Sequence, residues 1–293
     1  MLDGLVQAEL IAVLVAVTAG RPKVLTIESG YALPSGPLQT GHRSLQSGLR
    51  AWVEQQTHHP LGYVEQLYTF ADQHAGARRG ISISYLGLSR EEEASYPDAA
   101  WRGWYDYFPW EDTRTPCKDL PFIFCALNEW ASGSSSKQSR VASLFGEDGE
   151  GWNEELVLQR YELLWEARLV PETTRQAPTE GPLVQGREMT HDHRRILATA
   201  IARLRSKIKY RPVVFELLPY EFTLLDLQQT MEALAGRFFH KPNFRRFIEQ
   251  LDLIEETGRM ASGLAGRPAK LFRFRLAVLA ERSFAGTKLP IVK

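Results

Sequence analysis

The stretch between Phe222 and Phe274 leaves this chain few architectures to choose from. Thr223 is placed to cap a helix, with Asp226 three residues on at the capping-box position. Leu224, Leu227, Met231 and Leu234 then recur at helical spacing, and Gly236 ends the run, as a residue free to take positive φ does. A second helix is predicted from near Pro242, a residue favoured at the first helical position. Its Phe244, Phe247, Ile248 and Leu251 fall at i, i+3, i+4 and i+7 and make one buried stripe. The opposite face carries Asn243, Arg245, Arg246, Glu249 and Gln250. Two β-rich runs follow, Leu253–Thr257 and Ala269–Phe274, joined by a glycine-rich loop over 258–268. Two helices across a tight turn with a hairpin behind them spell a winged helix-turn-helix. The second helix offers Lys241, Asn243, Arg245 and Arg246 to base edges and phosphates. Arg259, Arg267 and Lys270 sit at the tip or flank of the wing, where backbone rich in glycine can approach a groove closely.

Charge supports that reading. The whole chain is neutral, but residues 1–190 hold 16 Lys and Arg against 25 Asp and Glu, for −9, and residues 191–293 hold 19 against 10, for +9. A basic end beside an acidic remainder suggests one part that meets a polyanion. The blander alternative is a small α/β domain whose charges are merely solvated. The basic end opens with another amphipathic helix over 191–209, in which Leu197, Ile201, Leu204 and Ile208 face inward and Arg203, Arg205 and Lys207 take other faces. Cys117 and Cys125 have no zinc or redox spacing and are expected reduced. The apolar run Leu5–Val17 is too short for a membrane span and is interrupted by Gln7 and Glu9, so a cytoplasmic protein without membrane contact is expected.

The N-terminal part reads as mixed α/β. Leu10–Val17 and Val24–Ile27 look like strands joined by a turn at Gly20, and residues 43–56 like a helix through Leu45, Leu49, Trp52 and Val53. Val64–Ala71 and Ile81–Leu88 look like a strand pair around the loop 72–80. Residues 89–150 read as irregular, with an aromatic cluster (Trp101, Trp104, Tyr105, Tyr107, Phe108, Trp110) better suited to core or interface than to a cofactor, and with a Ser-rich, mobile stretch at 132–139. A helical pattern returns over 152–169, and residues 171–190 read as a linker.

The stretch Leu33-Pro34-Ser35-Gly36, with Arg50 and Glu54 downstream, resembles a Nudix box. Aligned from Gly36, the four glutamate positions hold His42, Ala51, Glu54 and Gln55, and the closing glycine position holds Thr57. A Nudix hydrolase uses those carboxylates to hold Mg²⁺ against a diphosphate, and one carboxylate is too few for that hard cation. The resemblance widens through Val64–Asp72, Arg79–Leu86, 209–213, 217–224, Asn243-Phe244-Arg245-Arg246 and Gly266-Arg267-Pro268-Ala269, which are similar to segments of the Nudix-related transcriptional regulators of NAD metabolism, the NrtR family.

That resemblance implies an α+β chain: a Nudix-like α/β/α sandwich over 1–170 with 89–150 as a possible insertion, a linker at 171–190, a winged-helix domain over 191–275 and a tail from 276 to 293. It implies a homodimeric repressor that binds a palindromic operator in double-stranded DNA. Its degenerate Nudix domain would sense ADP-ribose or a related NAD-derived nucleotide, control genes of NAD synthesis or salvage, and need no metal, cofactor or catalytic residue. Candidate ligand residues are Tyr31, Arg50, Glu54, Glu65, Gln66 and Arg79. Each has a plainer alternative: packing for Tyr31, an i,i+4 salt bridge with Glu54 for Arg50, local backbone satisfaction for Glu65 and Gln66, a solvated charge for Arg79. An active hydrolase of a nucleoside diphosphate derivative with an auxiliary winged helix, or a winged helix that binds protein, are the competing functions.

Overall fold

The computed structural model describes residues 7–62, 64–71, 80–91, 98–146, 152–175, 181–210, 214–261 and 268–275. The expected sandwich is built on one mixed sheet. Its strands are β1 (Gln7–Thr18), β2 (Arg21–Thr26), β3 (Ser35–Pro37), β4 (Val64–Phe70), β5 (Gly80–Leu88) and β6 (Ala100–Gly103). The order is β4-β5-β1-β2-β6, with β3 also paired to β1. β1 runs parallel to β5 and antiparallel to β2 and β3. β1 is apolar on both sides because both sheet faces are covered. Side chains alternate along a strand, so Leu10, Ala12 and Leu14 meet Leu49 and Val53 of helix α1 (Leu45–Thr57), while Ile11, Val13 and Val15 face the opposite layer. Ser44 caps α1 through a reciprocal box with Ser47.

The second layer is made by α2 (Leu120–Trp130), α3 (Ser135–Phe145), α4 (Val157–Glu166) and α5 (His193–Tyr210). Trp104, Tyr107, Phe108 and Trp110 are fully buried there, so the aromatic cluster is core. Residues 89–150, expected as irregular, contribute β6, α2 and α3, and Ile123, Leu127, Val141 and Phe145 join the same apolar cluster as Ile11 and Val13. The Ser-rich stretch is not a mobile loop: Ser134 accepts from the Lys137 amide and starts α3. The described residues of the expected linker, 171–175 and 181–190, are also packed. A 3-10 turn spans Pro171–Arg175, Val184 and Met189 are buried, and the backbone is tied down by Val184 N to Leu169 O at 2.8 Å and Arg187 N to Asp106 O at 2.8 Å.

Helix α5 keeps its predicted stripe, but Arg205, expected on a solvated face, is buried. The helix packs on α4, β1 and β4 as well as on α6 (Leu224–Ala235), so it belongs to the sandwich layer as much as to the basic end. The helix-turn-helix follows the sequence pattern closely. Thr223 and Asp226 form the reciprocal capping box, Gly236 ends α6 at φ 71°, and α7 runs over Lys241–Leu251 with Phe244 and Ile248 buried. The wing is β7 (Ile254–Met260) paired antiparallel with β8 (Lys270–Phe274), and Phe222 bridges to Phe272. One apolar cluster runs without a break from Ile11 and Val13 through Leu204 to Phe244.

Candidate nucleic-acid interface and ligand site

Helix α7 shows two unlike faces. Phe244 and Ile248 anchor it, while Lys241, Asn243, Arg245 and Arg246 are exposed on its first two turns. Among the described residues these four side chains have no hydrogen-bond or ion-pair partner, so they are available to an incoming ligand. The wing cations differ. Arg259 pairs with Glu221 at 2.8 Å and Lys270 with Glu256 at 2.8 Å, both at the surface. Exposed pairs of this kind are weak and exchange easily for a phosphate. Arg267 lies outside the described residues. Arg273 pairs with Glu255 at 2.7 Å and reaches the Tyr220 hydroxyl at 3.4 Å.

The polar residues around α1 mostly hold their own loops. The Ser35 amide donates to Gln56 Oε1 at 3.0 Å, and Gln56 Nε2 donates back to Ser35 O at 2.8 Å. His42 accepts from the Gln39 amide, and the Trp52 indole donates to Pro37 O at 3.0 Å. Arg50 does not bridge to Glu54. It clamps the loop after the helix through the carbonyls of Leu61 and Gly62, the latter at 2.7 Å. Thr57, at the closing position of the motif, is buried and donates to Val53 O at 2.7 Å. Glu54 is exposed. Among the described residues no group of three or more His, Cys, Asp or Glu stands together as a metal site.

The remaining ligand candidates are spread over the sheet. Glu65, on β4, pairs with Lys207 of α5, on the sheet face opposite α1. Gln66 is exposed and reaches Thr69 Oγ1 at 3.3 Å. Tyr31 is 43% exposed, with the Arg187 guanidinium 5.6 Å from its ring centroid. Arg79 lies outside the described residues. The structure thus brings Tyr31 together with Arg187, a residue that the sequence did not single out, rather than with Arg50 or Glu65.

A buried polar junction joins the sandwich to the helix-turn-helix, and sequence reasoning missed it. Glu111 accepts from Arg160 Nε at 2.7 Å and Nη2 at 2.9 Å, and from Arg205 Nη1 at 2.7 Å; all three side chains are fully buried. Burial alone would push the Glu111 carboxyl up, but the two guanidiniums outweigh it and hold the carboxyl below its ordinary value. The same segment grips the C-terminus of α6, whose last carbonyls have no partner within the helix. The Tyr105 hydroxyl donates to Ala233 O at 2.7 Å, Arg205 Nε to Leu234 O at 2.9 Å, and the Thr113 amide and hydroxyl to Gly236 O at 2.7 and 2.8 Å. Arg194, also buried, pairs with Glu172 at 3.0 Å. It lies over the rings of Phe108, Trp110 and Tyr161. Part of the basic charge of the C-terminal third therefore faces inward rather than toward a polyanion.

Comparison with known proteins matches these geometries to named ones. Residues 214–274 match the family model of the NrtR DNA-binding winged helix domain. The "ADPR responsive transcriptional repressor NtrR" of Acinetobacter baylyi is 39% identical over 90 residues, which are 30% of this chain and 35% of that protein. The match thus spans about a third of that relative's length. Among solved structures, NrtR of Shewanella oneidensis complexed with a 27mer DNA superposes with a TM-score of 0.57 at 22% identity, over 93% of this chain and 95% of that one. A MutT/nudix family protein from Enterococcus faecalis gives a TM-score of 0.55 at 16% identity, over 93% and 87%. At these identities the solved structures establish the fold: a Nudix-like sandwich followed by a winged helix.

Proposed function

We propose that this chain, a Nudix-related protein of NrtR type by its winged-helix domain and its fold, is a transcriptional repressor that binds DNA and responds to ADP-ribose or a related NAD-derived nucleotide. The observation that carries the reading is the outer face of α7: four exposed polar and basic side chains, without partners among the described residues, on a helix anchored by Phe244 and Ile248. That is the arrangement a recognition helix needs. The likeness to an "ADPR responsive" repressor supports the effector class. The repressor acts in the cytoplasm as a homodimer on a palindromic operator, and its targets are genes of NAD synthesis or salvage. The domain division that fits this reading places the sandwich up to the end of α5 and the DNA reader from residue 214 onward, with the start of the family match as its boundary.

The hydrolase reading is the weaker one. Its support would be carboxylates converging on α1, and Glu54 is the one glutamate left at the motif positions. Tyr31 and Glu54 keep exposed side chains and remain ligand candidates, whereas Arg50 and Glu65 are engaged by the protein itself.

The test is fluorescence anisotropy with labelled duplexes from upstream regions of pyridine-nucleotide genes. Tight binding that weakens steeply between about 50 and 200 mM salt is expected, because phosphate contacts release counterions. Arg245→Ala or Arg246→Ala is expected to weaken it by about 1–3 kcal/mol if the side chain reads a base. ADP-ribose is expected to release the duplex. Absence of any duplex binding at low salt refutes the proposal, and Mg²⁺-dependent release of AMP from ADP-ribose at ordinary enzymatic rates refutes its non-catalytic part.

A further inference from the structure

Two guanidiniums converge on the loop between β2 and β3 without a carboxylate between them. Arg102 comes from β6 and Arg187 from the segment that leads into α5. Arg187 Nη2 stands 3.2 Å, and Arg102 Nε 3.4 Å, from the point where a Cβ on Gly30 would lie. The Tyr107 hydroxyl stands 3.2 Å from the same point. The two cations are therefore close neighbours across one glycine. The Nε atoms of both are buried, and among the described residues neither has a hydrogen-bond partner. Neither guanidinium has a carboxylate in ion-pair range among the described residues. Among the described residues the Arg187 guanidinium reaches the Ser29 carbonyl, at 2.9 Å, and the face of Tyr31. Asp106, the acidic group nearby, is exposed and turned toward Gly103.

Such a pair is unusual physically. Two like charges held close and partly desolvated repel each other, and a buried N–H without an acceptor is costly. Proteins normally place a carboxylate between them, as this chain does with Glu111 between Arg160 and Arg205. The backbone beneath the pair is also held in an uncommon conformation. Glu28, Ser29 and Gly30 have φ of 52°, 57° and 98° in succession. Strain of this sort persists where the surroundings enforce it and gathers at ligand sites. At Gly30 a side chain would both suffer that φ and fill the space between the guanidiniums.

We infer that Arg102 and Arg187, over the Gly30 loop, form an anion site that takes a phosphate group of a diphosphate-bearing ligand. The guanidiniums supply charge-assisted donors, which suit phosphate oxygens, and Tyr107 is already committed as donor to Gly30 O at 2.6 Å, which fixes the loop. Tyr31, exposed beside Arg187, gives a neighbouring ring face for a base or ribose. The identification of that ligand as an NAD-derived nucleotide rests on the function proposed above; the anion site itself does not.

The site also adjoins the path to the DNA reader. The Thr190 amide donates to Tyr31 O at 2.7 Å, and the Leu33 amide donates to His193 Nδ1 at 2.9 Å, so the loop is fastened to the start of α5. The carbonyl of Asp106, one residue before Tyr107, holds the Arg187 amide, and the same stretch continues into Glu111 and the α6 clamp.

The test is isothermal titration of the full chain with inorganic pyrophosphate and, separately, with ADP-ribose, for wild type, Arg102→Gln and Arg187→Gln. The Arg187 guanidinium ends at the surface, in its bond to Ser29 O, and Arg187 does not lie in the sheet, so its variant keeps the test decisive if Arg102→Gln unfolds. Loss of one charge-assisted phosphate contact is expected to weaken both ligands by about tenfold or more. Variants that bind both ligands as wild type does overturn the site and leave the effector reading standing. Pyrophosphate binding that the variants weaken, with no ADP-ribose binding, upholds the site and removes ADP-ribose as the effector. A wild type that ignores pyrophosphate at millimolar concentration overturns the site whatever ADP-ribose does.

Discussion

Replacing Glu111 with Gln removes one charge and keeps the shape, and the structure sets the size of the effect. The carboxylate accepts three hydrogen bonds from two guanidiniums, all in fully buried surroundings. The amide of Gln accepts at one atom only, so at least one of the three donors loses its acceptor and faces an NH₂ group instead, and both guanidiniums lose the compensating charge. Breaking a buried ion pair from one side costs about 3–5 kcal/mol. Folded domains hold only about 5–15 kcal/mol in total. At about 2–4 °C per kcal/mol for a chain of comparable size, the thermal midpoint of Glu111→Gln is expected to fall by roughly 6–20 °C.

Linkage gives the same residue a second signature. Because the folded carboxyl lies below its ordinary value, its contribution is fully present above the usual carboxylate range and is lost as pH falls through the lowered folded value. The wild type is therefore expected to lose stability on the acid side, and Glu111→Gln to flatten that limb. The assay is urea unfolding followed by tryptophan fluorescence across pH 3–8, since Trp104 and Trp110 are buried in the same cluster. The double variant with Arg205→Met tests whether the loss is the stranded charge: it should recover part of the deficit. A single variant within about 0.5 kcal/mol of wild type at neutral pH, the range of an ordinary surface substitution, refutes the account of the junction.

Three further outcomes follow from the helix-turn-helix. Thr223→Ala removes the capping box of α6 and should cost about 1 kcal/mol in denaturant melts; an unchanged midpoint refutes the cap. Gly236→Ala should destabilise by more than the roughly 1 kcal/mol of an ordinary glycine effect, because the residue takes φ 71° and a Cβ there would stand 2.4 Å from Glu111 O; a neutral or stabilising result contradicts the close approach. Arg259→Ala and Lys270→Ala should change stability by less than about 0.5 kcal/mol, yet weaken duplex binding and flatten its salt dependence, each measured by anisotropy. Unchanged affinity would take the wing out of the interface.

Much of the fold was legible because local signals and tertiary packing agreed. The capping pair Thr223 and Asp226, the stop at Gly236 and the stripe Phe244–Ile248 each act over a few residues, so a single sequence displays them. The double-sided burial of β1 was visible in its unbroken apolar stretch Leu10–Val17. What was not legible was long-range. Helix α3 begins at a Ser-rich stretch that looks like low complexity, and its inward residues Val141 and Phe145 are few. Arg205 reads as a surface charge until it is placed on the stripe: it lies four residues after Ile201 and three before Ile208, and Arg194 lies three before Leu197. Both arginines therefore sit on the apolar face, and a charge on that face called for a partner somewhere in the acidic half. Of the ligand candidates, Arg50 was read from a motif position, but its geometry is set by the loop that it clamps. Arg102 and Arg187 stand far apart in sequence and meet only over Gly30, so spacing carried no trace of them.

The two missed features are joined by the same stretch of chain, and that bears on how an effector could act on DNA binding. A ligand shifts an equilibrium only by its differential affinity for two states, so occupancy must reach an element whose position the DNA also senses. Under the proposed function, helix α6 is placed to be that element. Its C-terminal carbonyls are held by Tyr105, Arg205 and Thr113, and it leads across Gly236 into α7. One clamp residue, Tyr105, directly precedes Asp106 and Tyr107, whose backbone and hydroxyl hold Arg187 and Gly30. Described residues of both regions, among them Tyr107, Trp110, Leu204 and Leu234, belong to one apolar cluster. Close-packed interiors transmit small shifts as discrete rearrangements rather than absorbing them. Neutralising the Arg102–Arg187 repulsion with an anion would thus be felt at the α6 clamp. A double-mutant cycle between Arg187→Gln and Thr113→Ala, read as the effect of ADP-ribose on duplex affinity, is expected to show coupling of at least about 0.5 kcal/mol. Strict additivity there would mean that ligand and DNA are linked by some other route.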